Sequence, residues 1–149
     1  EHTLPAYRLG ALLGADYLEP DLVLTKDGAL VARHEPGLGA TTDVAARPEF
    51  AARRRPRTVA GRTTDDWWSD DFTLAELRTL RARERIPELR PGNARFDGAF
   101  GVPTFAEILD LRADLSRELG RSVGVYPELK SPALFRAAGL DPEAALAAE

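Results

Sequence analysis

The sequence contains no cysteine. It can therefore form neither a disulfide nor a thiolate metal site, and either redox environment suits it. It has no apolar run near the roughly 20 residues that a membrane-spanning helix needs. It also lacks a basic surplus: 24 acidic residues face 20 basic ones, for a formal charge of -4. Nucleic-acid binders normally show the opposite balance, so none is expected as a partner. One local basic run, Arg53-Arg54-Arg55 with Arg57, is interrupted by Pro56 and has no interleaved aromatics. It reads as a solvated loop. No signal peptide is visible. The chain begins at Glu1, not Met, and almost inside a helix. A removed N-terminus is the expectation, which makes the missing targeting segment uninformative. What is present is 149 residues of ordinary apolar content, enough for one domain with a sizeable core.

The richest stretch runs from Tyr17 to His34. Asp27-Gly28 between two apolar runs is a strong signal for a two-residue hairpin turn, because both positions tolerate positive φ. With those two residues as the loop, Lys26 pairs with Ala29 and Asp21 sits opposite His34. Residues directly opposite share a face, as do residues two apart on one strand. Glu19, Asp21 and His34 are thus expected to converge on one patch. Leu22-Val23-Leu24 is continuously apolar, which suits a strand covered on both sides.

Before this hairpin, the spacing predicts a helix over 3–13, with Thr3 as cap, Pro5 in the first turn and Gly14 beyond its end. Leu4, Tyr7, Ala11 and Leu12 would be its buried stripe. From about 35 to 102, glycine and proline punctuate an irregular excursion. Thr73-Leu74-Ala75-Glu76 is a capping box within it, opening a helix expected to reach about Arg83. Thr104-Phe105-Ala106-Glu107 is a second box, opening a helix that Gly120 ends. A strand is expected over 122–130, and a last helix from Pro142 to Ala148. Strands separated by helices imply a parallel sheet and α/β architecture.

Glu19, Asp21 and Glu128 then lie on two parallel strands or at their ends, where chemistry collects in α/β folds. A cluster of oxygen ligands without cysteine favours Mg²⁺ or Ca²⁺ over zinc. Lys130 shares a face with Glu128 and offers a charge to an anion. His34 could exchange a proton near neutral pH. Cation, lysine and histidine around one pocket suit phosphoryl chemistry. Simpler readings stand beside these. Glu19 and Asp21 could be the solvated face of an edge strand. His34 could be a surface histidine, and Glu128 with Lys130 an exposed ion pair. His2 reads as a helix-start residue without chemistry, next to the capping Thr3. Trp67 and Trp68 read as packing residues.

Several segments resemble the glycerophosphodiester phosphodiesterase family: 1–6, 14–28 and 30–35, then 41–45, 71–77 and 124–130. They follow the family's order across nearly the whole chain. The long excursion and Tyr126-Pro127-Glu128-Leu129-Lys130 resemble its periplasmic or secreted bacterial branch. The resemblance implies a TIM-type (β/α)8 barrel. It also implies hydrolysis of glycerophosphodiesters, such as glycerophosphocholine, to glycerol 3-phosphate and an alcohol. By motif match, Glu19, Asp21 and Glu128 would bind the divalent cation. His34 would be one of two catalytic histidines, Lys130 would contact phosphate, and Glu1 would support the substrate site.

The family's first catalytic histidine, in a His-Arg-Gly motif upstream of Glu1, is not in this chain, and His2 falls one position after Glu1. A closed barrel needs roughly 250 residues, so 1–149 is expected to be the N-terminal part of such a domain, a partial barrel. Two alternatives remain open. One is a related barrel phosphodiesterase or phospholipase; the other is a catalytically inactive metal- or anion-binding fragment.

Overall fold

The computed structural model describes residues 1–149. Helix α1 (Leu4–Leu12) leads into strands β1 (Tyr17–Leu18), β2 (Asp21–Leu24) and β3 (Leu30–Ala32). The excursion holds β4 (Arg55–Val59), β5 (Arg62–Asp66) and the short helices α2 (Leu74–Leu77) and α3 (Pro91–Ala94). Helix α4 (Phe105–Leu119), strands β6 (Gly124–Val125) and β7 (Glu128–Leu129), and helices α5 (Pro132–Ala137) and α6 (Pro142–Ala147) follow.

The expected parallel pairing is present: β1 pairs with β6 and β2 with β7. Each long strand is split at a proline, Pro20 or Pro127, which has no N–H to give to a ladder. The pairing nonetheless runs through. Tyr126 N donates to Leu18 O at 2.8 Å, and Glu128 N donates to Pro20 O at 2.9 Å. The sheets are β1-β6, β3-β2-β7 and β4-β5, and none closes on itself. The architecture is α/β with mixed sheets, without a closed barrel. Leu22, Val23 and Leu24 are all buried at the centre of the core, with Ile108 and Leu115 of α4 in the same cluster.

The hairpin differs from the expected one by a single residue. Leu22 pairs with Ala32 and Leu24 with Leu30, so Asp21 stands across from Arg33, whose amide donates to Asp21 O at 2.8 Å. The cause is local. Gly28 has φ +82, whereas Asp27 is not in the left-handed region. A two-residue turn of the expected kind needs both. The chain instead makes a turn over Thr25–Gly28, closed by Gly28 N donating to Thr25 O at 3.0 Å, and glycine supplies the left-handed residue of a three-residue loop. A one-residue slip exchanges the faces, and His34 leaves the position opposite Asp21.

Both capping boxes form, with Thr73 and Thr104 as N-caps. The helix after Thr73 stops at Leu77, not near Arg83. Beyond it the backbone is claimed by other partners: Arg81 O accepts from Asp43 N, and Ala82 N donates to Phe100 O. In α1, Tyr7 and Ala11 are buried, but Leu12 is half exposed. The basic run is not a solvated loop. Arg55 and Arg57 lie in β4, and the hairpin turns at Ala60-Gly61, both with positive φ. Arg53 pairs with Glu76, Arg55 with Asp71 and Arg57 with Asp70. Trp67 and Trp68 are buried, and their indole N–H groups bond to Phe50 O and Arg55 O. No helix is long and apolar enough to cross a membrane.

Candidate metal and active site

Parallel pairing of β2 with β7 makes Asp21 and Glu128 register partners, and Glu19 precedes Asp21 by one strand period. Carboxylate oxygens of Glu19, Asp21 and Glu128 all lie within 4.8 Å of one another. Glu19 and Glu128 are exposed, whereas Asp21 is buried. Asp21 Oδ1 is buried and accepts no hydrogen bond. Lys130 Nζ stands 3.2 Å from it, outside hydrogen-bond alignment, and donates to Glu128 Oε1 at 2.8 Å. The bond to Glu128 leads in raising the Lys130 pKa; Asp21 adds to it against burial. The residues fit a divalent cation: they offer oxygen donors alone, and one buried lone pair is unfilled. Such a set suits Mg²⁺ or Ca²⁺.

His2 belongs to this site, against the reading of it as a mere helix-start residue. Its Nε2 lies 3.0 Å from Asp21 Oδ2 and its Nδ1 lies 2.6 Å from Tyr7 Oη. Burial lowers the His2 pKa, although Asp21 and Glu1 pull the other way. Burial raises the Tyr7 pKa, helped by the charges of Asp21, Glu19 and Glu1. The neutral forms settle the direction of both bonds. The Tyr7 hydroxyl donates to Nδ1, and Nε2–H donates to the Asp21 carboxylate, which can only accept. The imidazole thereby holds Oδ2, while Oδ1 accepts no hydrogen bond and faces the Lys130 ammonium. The sequence reading missed this residue because Asp21 lies 19 positions away and Thr3, next to His2, already explains the start of α1.

His34 lies just past β3 and is half exposed. It is outside the carboxylate cluster, but it lines one small cleft with Glu1, His2 and Arg33. Its Nδ1 lies 2.8 Å from Glu35 Oε1. Glu1 is also outside the cluster and pairs with Arg85. Arg33 is fully enclosed, donating to Gly37 O at 2.7 Å and Thr41 Oγ1 at 2.8 Å. Burial lowers its pKa to about 10, against the pull of Glu35, Asp66 and Glu1. These bonds shape the turn after His34. Arg33, which lines this cleft, and Arg85, which pairs with Glu1 and Glu35 beside it, were both invisible in the sequence. The first depends on the exact hairpin register, the second on the path of the excursion.

Residues 1–140 match the model of the glycerophosphoryl diester phosphodiesterase family. The chain belongs to that family. Among relatives in the glycerophosphodiester phosphodiesterase family, the chain is 40% identical over 132 residues to glycerophosphodiester phosphodiesterase GDPD6 of Arabidopsis thaliana, covering 89% of this chain and 34% of that protein. It is 33% identical over 150 residues to the glycerophosphodiester phosphodiesterase of Haemophilus influenzae, covering 95% of this chain and 38% of the relative. The chain thus spans little more than a third of these relatives. A crystal structure of a glycerophosphoryl diester phosphodiesterase from Silicibacter pomeroyi matches with a TM-score of 0.69 at 27% identity, over 99% of this chain and 47% of that one. The fold is therefore that of part of a phosphodiesterase barrel of this family.

Proposed function

We propose that this chain carries the metal-binding half of a glycerophosphodiester phosphodiesterase site. The reaction is hydrolysis of a glycerophosphodiester to glycerol 3-phosphate and an alcohol, in the periplasm or outside the cell. The observation that carries the reading is the meeting of Glu19, Asp21 and Glu128 within 4.8 Å on strands that match the family. These three residues would hold one divalent cation, Ca²⁺ or Mg²⁺, which when bound polarises a phosphoryl oxygen. His2 keeps the Asp21 carboxylate oriented. Lys130 offsets phosphate charge. His34 exchanges a proton with the attacking or leaving oxygen through Nε2, the ring nitrogen that Glu35 does not occupy. Glu1 borders the cleft in which substrate would lie.

The test is hydrolysis of glycerophosphocholine by the chain with Ca²⁺ or Mg²⁺, alongside Asp21→Ala. Metal-dependent turnover that Asp21→Ala abolishes supports the reading. Turnover unchanged in that variant refutes the ligand assignment. Cation binding without turnover identifies the chain as a binding fragment.

A further inference from the structure

Arg85 joins three separate parts of the chain. It donates to Glu35 Oε1 at 2.5 Å and to Glu35 Oε2 at 2.7 Å, and it also donates to Glu1 Oε1. The two bonds to Glu35 form the fork that a planar guanidinium makes with a carboxylate and an ammonium cannot. Glu35 Oε1 in turn lies 2.8 Å from His34 Nδ1. The backbone around Arg85 is anchored. Arg83 N donates to Thr41 O at 2.9 Å, and Ile86 N donates to Glu84 Oε1 at 3.0 Å. The chain just before Arg85 is thus tied to Thr41, while the Ile86 bond is a local one within the same segment.

Burial works against the charge on Glu35, yet the bonds from Arg85 and His34 hold its carboxyl at about 2. Near neutral pH it can only accept. The hydrogen between Glu35 and His34 therefore sits on Nδ1, and whenever the ring is neutral Nε2 keeps its lone pair.

We infer that Arg85 is a positioning residue for His34: its two-pronged grip on Glu35 fixes the Nδ1–H form of the imidazole and leaves Nε2 open to proton transfer. The functional meaning rests on the proposed reaction, in which His34 moves a proton. The ring chemistry does not depend on it.

The chain has two histidines, so nitrogen-15 NMR of the ring nitrogens separates His34 from His2 with His2→Asn as the reference. At a pH where both rings are neutral, wild-type His34 should be protonated on Nδ1. Glu35→Ala should move it toward the Nε2–H form. Arg85→Met should move it in the same direction, and Arg85→Lys, which keeps the charge but not the fork, should recover only part of the wild-type position. His2, held by Tyr7 and Asp21, should not shift in these variants and reports an intact fold. If Arg85→Met unfolds, Arg85→Lys decides alone. An Nε2–H ring in wild type, or wild-type His34 shifts in either Arg85 variant, would overturn the inference. Glycerophosphocholine turnover is followed in parallel. Expected ring shifts in a wild-type chain that neither binds Ca²⁺ or Mg²⁺ nor turns over glycerophosphocholine would refute the phosphodiesterase reading and leave the clamp standing.

Discussion

Asp21 and Glu128 are register partners across the parallel pair of β2 and β7, and Lys130 Nζ stands against both carboxylates. Like charges set opposite each other destabilise a sheet. Lys130 offsets that repulsion in the absence of a metal, and a bound cation would compete with it. Lys130→Met should therefore lower the melting temperature of the metal-free chain and enlarge the rise that Ca²⁺ or Mg²⁺ produces. Cation affinity should increase on the order of tenfold, because a nearby positive charge is removed. Thermal melts with and without cation check this; an unchanged metal-induced rise would show that Lys130 does not share these oxygens.

Tyr7→Phe removes the hydroxyl that donates to His2 Nδ1 at 2.6 Å. The ring nitrogen is left without its partner in a buried setting, which costs about 1–3 kcal/mol. Urea unfolding should show that loss. Cation affinity should fall as well, since His2 orients Asp21. A stability loss with unchanged affinity would make the Tyr7–His2 pair a packing feature only.

Gly28 sits at φ +82 and sets the register that places Arg33, not His34, opposite Asp21. Gly28→Ala forces an L side chain into the left-handed region, at a cost of about 1–2 kcal/mol. Gly28→Asn should cost less, because Asn enters that region more readily. Melting temperatures should rank wild type, Asn, then Ala. An Ala variant as stable as wild type would contradict the turn assignment.

Glu76 is held at about 2 against an ordinary 4.5, first by Arg53 and then by its capping bonds to Thr73. Glu35 is also held at about 2. Both carboxyls titrate lower in the folded chain than in the unfolded one. The unfolded chain binds more protons in between, so this stability is present above about pH 4.5 and is lost as pH falls toward 2. Denaturant titrations over that range should show the decline. Arg53→Met should reduce the slope, and a slope unaltered in that variant would remove Arg53 as its source.

The carboxylate site was legible because strand period and parallel pairing are simple rules that regular elements obey whatever their separation in sequence. Glu19 and Asp21 are two apart, and the Tyr126-Pro127-Glu128 strand runs alongside. His34 was misplaced because the face of a returning strand depends on one backbone angle at Gly28. The β4–β5 hairpin escaped notice because it has no apolar alternation and carries Arg-Asp pairs along its course. Arg85 could not be placed because its partners, Glu1 and Glu35, are distant in sequence. Long-range contacts made by an irregular segment leave no periodic trace. His2 was missed because the capping role of Thr3 already accounted for the start of α1.

The most direct measurement is calorimetry of Ca²⁺ and Mg²⁺ binding to the wild-type chain and to Glu19→Gln, Asp21→Asn and Glu128→Gln. One cation per chain is expected, with each substitution weakening it about tenfold or more and Asp21→Asn weakening it most. Equal affinity across all four proteins, or no binding by wild type, would contradict the shared ion site.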